Sequence, residues 1–72
     1  MNVQVQLGMR IRYLRKERGL SIEDLALKSG VNKNYLSDLE RGTRNPSLSI
    51  LNRLAEGLSI SLETLFKGIK QF

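Results

Sequence analysis

Residues 20–42 read LSIEDLALKSGVNKNYLSDLERG, and this stretch predicts two short helices joined by a tight turn. Ser21 precedes an acidic residue by three positions, a pattern close to the capping box that begins many helices. Gly30 ends this helix after about two turns, because glycine readily takes the left-handed conformation at a helix C-terminus. Asn32 then caps the next helix, since its side chain accepts hydrogen bonds from free amides. A turn of about three residues makes two such helices cross at a steep angle.

Upstream of this stretch, the sequence predicts a longer first helix over residues 4–18. Leu7, Ile11 and Leu14 recur at helical spacing, which gives the helix one apolar side. Gly19 follows as the usual residue of a left-handed C-terminal cap.

Downstream, the sequence predicts a polar loop and two more helices. Residues 42–47 read GTRNPS, the composition of an exposed, basic surface loop. Ser47 caps a fourth helix with apolar residues between positions 48 and 58, and Ser61 begins a short last helix. Residues 68–72 should fray. Gly57 falls inside the fourth helix, where glycine costs about 1 kcal/mol relative to alanine. About five helices result, with no strand pattern, so the expected fold class is all-α.

The length and residue types allow one domain, spanning residues 1–72, with an aliphatic core. A chain of 72 residues buries a modest share of its surface. It contains no Cys and no His, so it has no disulfide, no soft metal ligands and neither of the commonest nucleophile-activating arrangements. We therefore expect no enzyme activity, no metal, no cofactor and no small-molecule ligand.

The charge balance indicates an anionic partner. Twelve Lys and Arg against seven Asp and Glu give a net charge of +5. Such a surface attracts phosphate or anionic lipid, and charge alone does not choose between them. The N-terminal residues lack the long apolar stretch of a signal peptide or membrane span. The expected location is the cytoplasm, in association with the nucleoid.

Nearly the whole chain from Leu7 onward, and most informatively residues 19–66, resembles the helix-turn-helix family of phage repressor and Cro proteins, also called the xenobiotic-response-element family. The features at matching spacing are Leu20, Ser21, Leu25 with Ala26, Gly30 with Val31, Leu36, the LERG at 39–42 and Pro46. The resemblance implies a compact five-helix, lambda-repressor-like DNA-binding domain, with the helix-turn-helix at about residues 21–41. Residues 34–48, NYLSDLERGTRNPSL, also resemble the controller proteins of restriction-modification systems.

In this motif, the third helix lies in the major groove and reads base edges. Val31, Leu36 and Leu39 should face inward, which leaves a polar outer side. The candidate base-contacting residues on that side are Lys33, Asn34, Tyr35, Ser37 and Asp38. A lysine suits guanine O6 and N7, and an asparagine pairs bidentately with adenine. The alternatives are a solvated helix start for Lys33 and Asn34, and the edge of the core for Tyr35.

Phosphate or minor-groove contacts are expected from the start of the second helix and from the basic loop. The candidates are Ser21, Arg41, Arg44 and Asn45, with a solvated loop as the alternative for Arg44. The family often has a Gln after the cap that binds a phosphate, and this chain has Ile22 there. Ser59 likewise stands where the family usually has a capping Gly.

Two further roles follow from the resemblance for the first helix. Arg15 and Glu40 match positions that form an ion pair in phage repressors, so we expect a structural pair that ties the first helix to the third. The other basic residues between 10 and 18 are expected to form a mostly solvated face, with one or two near phosphate.

A single domain of this kind reads few base pairs, and the family solves this by pairing two domains on a palindrome. The expected homodimer region is about residues 58–68, with Ile60, Leu62, Leu65 and Phe66 as candidates. Core packing is an equal alternative for Leu62 and Leu65. The sequence thus predicts a dimeric regulator that binds double-stranded DNA. The alternative is an antitoxin-like or adaptor module that keeps the fold and binds protein.

Overall fold

The computed structural model describes residues 2–70, which form five helices and contain no strand. In chain order these are α1 (Val3–Glu17), α2 (Ile22–Ser29), α3 (Lys33–Glu40), α4 (Leu48–Gly57) and α5 (Leu62–Leu65). The predicted all-α class with five helices is confirmed. The first helix begins and ends one residue earlier than predicted, because Asn2 caps it and Arg18 is its C-terminal cap.

The second to fifth helices each begin at the predicted cap. Ser21 Oγ accepts from the Asp24 amide at 3.0 Å, and the Asp24 carboxylate accepts from the Ser21 amide at 3.0 Å. This reciprocal pair completes a capping box, with Asp in place of the more common Glu. Asn32, Ser47 and Ser61 cap α3, α4 and α5 with their side-chain oxygens. The caps satisfy amides that have no partner within the helix.

The core is aliphatic, as the composition predicts, and every helix contributes to it. Its buried members are Leu7, Ile11, Leu14, Leu25, Ala26, Val31, Leu36, Leu39, Leu54, Ala55, Leu58 and Leu65. The three residues predicted to face inward from the third helix and the turn before it are all among them. No helix within residues 2–70 is both long and apolar enough to cross a membrane.

Two glycines are required by close contact between helices. A Cβ on Gly8 would lie 2.5 Å from the Leu39 carbonyl oxygen and 2.6 Å from that of Glu40. A Cβ on Gly57 would lie 2.2 Å from Ser29 Oγ. The glycine in α4, costly by helix propensity alone, therefore allows α2 and α4 to approach closely. Ser59 after α4 has a φ of 60°, the left-handed conformation that a capping Gly would take without strain.

The segment after α5 is attached to α1. The Lys70 amide donates to Gln6 Oε1 at 2.9 Å, and Gln6 Nε2 donates to the Lys70 carbonyl oxygen at 3.1 Å. Ile69 packs against the core. The prediction of fraying is therefore wrong for Lys70, because its backbone amide and carbonyl both have a partner on α1. For residues 71 and 72 that prediction lies outside the described part of the chain.

Candidate nucleic-acid interface

Helix α3 has one buried side and one polar side. Leu36 and Leu39 are fully buried on the inner side. The Asn32 side chain accepts hydrogen bonds from the Asn34 amide at 2.8 Å and the Tyr35 amide at 3.1 Å, which fixes the start of the helix. Lys33, Asn34, Ser37 and Asp38 lie away from the buried stripe, whereas Tyr35 packs against the edge of the core, and all five are on one helix of eight residues.

The exposure of these five residues is uneven. Lys33 and Asn34, in the first turn, are exposed, while Tyr35, Ser37 and Asp38 are half-buried. Lys33 Nζ lies 3.9 Å from a carboxylate oxygen of Glu23 on α2, and both side chains are more than half exposed. A pair this open is worth at most about 1 kcal/mol, so Lys33 is available to a ligand.

Asp38 is the centre of a cluster formed with the loop that follows α3. Its carboxylate accepts from Arg41 through one oxygen and from Arg44 Nη2 through the other, the latter at 3.2 Å. The Arg44 guanidinium also lies 5.1 Å from the centre of the Tyr35 ring, within the range of a cation–π contact. Thr43 Oγ1 donates to the Asp38 carbonyl oxygen at 3.0 Å. Sequence reasoning placed these residues in two separate groups and missed that they contact one another.

The expected ion pair between α1 and α3 is present and buried. Arg15 Nε and Nη2 donate to the two carboxylate oxygens of Glu40 at 2.7 and 3.0 Å. Arg15 Nη1 also donates to the Leu20 carbonyl oxygen at 2.8 Å. The side chains are 10% and 5% exposed, and the hydrogen bond to Glu40 raises the pKa of Arg15. Because the fork is bidentate, it fixes the angle of α3 as well as its position.

Arg10 of α1 and Arg18, the C-terminal cap of α1, have structural roles that sequence reasoning missed. Arg10 donates to the carbonyl oxygens of Thr64 and Leu65 at 2.8 and 3.3 Å, and Arg18 donates to that of Leu58 at 2.9 Å. These acceptors lie at the C-terminal ends of α5 and α4, so the two arginines join the first helix to the ends of the last two. The expectation of a mostly solvated basic face is therefore wrong for Arg10, which is half-buried, and holds for Arg12, Lys16 and Arg18, which are exposed.

Ser21 and the basic loop surround the exposed side of α3 with possible phosphate ligands. Ser21, Arg41, Arg44 and Asn45 are all exposed. Ser21 Oγ accepts from the Asp24 amide, and the Ser21 side chain also hydrogen-bonds the Asp24 carboxylate, so a phosphate oxygen would have to share this hydroxyl. The backbone hydrogen bond from Ser21 is the main reason that the pKa of Asp24 lies below its ordinary value of 3.8.

The four candidate dimer residues differ in accessibility. Leu65 is 0% exposed, so it belongs to the protomer core and has no surface to offer a partner. This corrects its assignment to the dimer interface and selects the core alternative. Ile60 and Leu62 are half-buried against the core, and Phe66 is 38% exposed.

These features define a helix-turn-helix domain: α2 and α3 are joined by a tight turn, and the polar side of α3 is exposed. The helix-turn-helix family model matches residues 11–65. The chain therefore belongs to this family.

Solved and curated relatives agree with this assignment. The crystal structure of the restriction-modification controller protein C.AhdI from Aeromonas hydrophila is 44% identical and has a TM-score of 0.86, covering 88% of this chain and 96% of that one. The transcriptional regulator SinR of Bacillus subtilis is 45% identical over 60 residues, 82% of this chain and 54% of SinR. The regulator DdrOP3 of Deinococcus deserti is 44% identical over 66 residues, 92% of this chain and 51% of DdrOP3. The chain spans about half the length of these two curated relatives.

Proposed function

We propose that this chain is a sequence-specific transcriptional regulator that binds double-stranded DNA with α3 in the major groove. The observation that carries the proposal is the rigid mounting of α3. Its inner side is buried and joined to α1 by the Arg15–Glu40 fork, while its polar side is exposed. A helix mounted in this way can enter a groove without rearrangement, which avoids an ordering cost on binding.

Base readout is assigned to the exposed first turn of α3. The N-terminal residues of a recognition helix contact base edges in this type of motif. Lys33 supplies an ammonium donor for guanine O6 and N7, and Asn34 supplies a paired donor and acceptor for adenine. Ser37 lies on the same polar side and adds an adaptable hydroxyl.

Backbone contacts are assigned to the residues on both sides of α3. The N-terminus of α2 has a partial positive charge, and the exposed Ser21 side chain lies there. On the other side, Arg41, Arg44 and Asn45 are exposed and face solvent. Phosphate contacts set the orientation of the protein on the duplex but carry no sequence information directly. The net charge of +5 gives the long-range attraction that such contacts need.

We further propose that two copies bind a palindromic operator as a homodimer. Half-sites one helical turn apart are the usual arrangement for this motif. Ile60, Leu62 and Phe66 retain accessible apolar surface near the C-terminal end and are the candidate contacts. Control of a restriction-modification system is the specific role that the similarity to C.AhdI, itself a controller protein, supports. The proposed location is the cytoplasm, with the operator.

Binding of the purified protein to duplex DNA across a salt series tests the general proposal. We expect affinity to fall steeply as salt rises, because counterions are released from neutralised phosphates. Arg44→Gln should weaken binding to every duplex. Lys70→Gln, which removes the same charge from an exposed position beyond the expected dimer region, is the matched control and should have little effect. Binding that is absent or independent of salt would favour the adaptor function instead. Sedimentation of the free and DNA-bound protein tests the homodimer.

A further inference from the structure

An acidic side chain lies among the proposed phosphate ligands. Asp38 is on the polar side of α3, and its two carboxylate oxygens bind two different arginines of the loop. A carboxylate repels DNA phosphates, so its presence at a DNA-binding surface requires an explanation. Its contacts supply one, because the arginines that it holds are the proposed phosphate ligands.

We propose that Asp38 is a positioning residue that restrains Arg41 and Arg44 from binding phosphate outside the operator. The inference rests on the proposed function, which it deepens by naming a determinant of specificity. With one carboxylate and two guanidinium groups, the cluster has a net charge of about +1 instead of +2. Each arginine must leave or share its carboxylate partner before it can bind a phosphate fully.

The cluster holds Arg44 from two directions. Asp38 Oδ2 lies 3.2 Å from its Nη2 atom, and the Tyr35 ring lies 5.1 Å from its guanidinium carbon. The loop that carries it is also attached to α3, because the Thr43 amide and hydroxyl both donate to the Asp38 carbonyl oxygen, at 3.1 and 3.0 Å. Arg44 is therefore orientated before DNA arrives.

The exposure of the cluster makes the restraint reversible. The Arg41 and Arg44 side chains are 65% and 49% exposed, against 27% for Asp38. Exposed ion pairs are weak, because water and salt screen them. A phosphate presented at the correct position can therefore replace the carboxylate, whereas the buried Arg15–Glu40 pair has no such access.

The restraint has different effects on binding to operator DNA and on binding to non-operator DNA. Non-specific binding is almost entirely electrostatic, so a carboxylate at the surface weakens it directly. At the operator, the orientation that Asp38 gives to Arg44 favours binding and offsets this repulsion, because less freedom is lost on docking. Asp38 thus contributes to the ratio between operator and non-operator affinity more than to operator affinity itself.

The test measures binding of wild type and Asp38→Asn to two duplexes across a salt series. One duplex carries the site selected by the wild type, and the other is random in sequence. Asp38→Asn should tighten random-duplex binding about fivefold, steepen its salt dependence and lower the specificity ratio. The matched control is Glu56→Gln, which makes the same charge change at an exposed position of α4 and should alter binding less than about twofold. Thermal unfolding verifies that both variants fold.

A second measurement tests the contact itself. Arg44→Gln should weaken random-duplex binding more in the Asp38→Asn background than in the wild type, because the arginine is then unrestrained. Equal effects of Asp38→Asn and Glu56→Gln, or additive effects of the Asp38 and Arg44 variants, would overturn the inference. A wild type that selects no site would overturn the proposed function and the inference with it, whereas a failed inference leaves wild-type recognition intact.

Discussion

The two sides of α3 carry the same chemistry in opposite surroundings. On the inner side, Arg15 and Glu40 form a carboxylate–guanidinium fork that is nearly inaccessible to water. On the outer side, Asp38 binds Arg41 and Arg44 in an open cluster. Distances alone do not separate the two, since both contain pairs of normal ion-pair geometry. The two differ in the free energy that each charged group would lose if its partner were removed.

That difference assigns the two sides different roles. A buried charge without its partner is strongly destabilising, so the inner fork is fixed in every state of the protein. An exposed charge without its partner is solvated by water at little cost, so the outer cluster can exchange its partners for phosphate. The fold and the binding surface are thus built from the same residue types, and burial separates their functions.

The largest expected effect comes from breaking the inner fork. Arg15→Ala should lower the free energy of unfolding by about 3–5 kcal/mol, because Glu40 is left charged and buried. Arg12→Ala, at an exposed position of the same helix, is the control and should change it by about 0.5 kcal/mol or less. Urea unfolding measures both. Similar losses for the two variants would remove the distinction between the buried and exposed sides.

The second-largest effect is expected at Gly8, where α1 contacts the backbone of α3 beside the Arg15–Glu40 pair. Gly8→Ala should destabilise by about 1–3 kcal/mol, because the new Cβ meets backbone carbonyls that have no rotamer to relieve the overlap. Met9→Ala, one position along and 55% exposed, is the control with a small expected effect. The Gly8 loss should combine non-additively with Arg15→Ala, since both changes disturb the contact between α1 and Glu40. Additive losses in urea unfolding would show that the two contacts are independent.

A smaller effect on stability is expected from Asp24, an exposed carboxylate that hydrogen-bonds Ser21 at the start of α2. The hydrogen bond from the Ser21 amide, followed by that involving its side chain, lowers the pKa of Asp24 below 3.8 in the folded state. The stabilisation is therefore complete above pH 3.8 and is lost as the pH falls through the folded pKa. Asp24→Asn should be less stable than wild type at neutral pH, and the gap should narrow in strong acid. An unchanged gap in thermal unfolding across this range would contradict the capping role.

The smallest effect on stability is expected on the outer side of α3. Arg41→Gln should change the free energy of unfolding by less than about 1 kcal/mol, because the side chain is 65% exposed and water replaces its partner. Duplex binding by the same variant should weaken at all sequences. A loss of stability as large as that of Arg15→Ala would show that the outer cluster also supports the fold.

Helix starts could be predicted from the sequence because capping is local chemistry. Ser21, Asn32, Ser47 and Ser61 bind amides no more than three residues away. Arg10 and Arg18 could not be placed, since their carbonyl partners lie 54 and 40 residues along the chain.

The requirement for glycine at position 57 was likewise invisible in the sequence, because it comes from a side chain on another helix. For the candidate site, helical periodicity identified the polar side of α3 correctly. The Asp38–Arg41 pair has the local i,i+3 spacing of a helix and was overlooked, whereas the Asp38–Arg44 pair depends on how the loop after α3 folds back onto the helix.

Selection of bound sites from random duplex DNA, performed with wild type, Lys33→Ala and Asn34→Ala, tests most directly whether α3 reads bases. The wild type should select a palindrome whose half-sites are about one helical turn apart. Each variant should lose preference at one position in each half-site, with a discrimination loss of about 1–3 kcal/mol. Variants that weaken binding to every sequence equally, or a wild type that enriches no palindrome, would contradict major-groove reading by the first turn of α3.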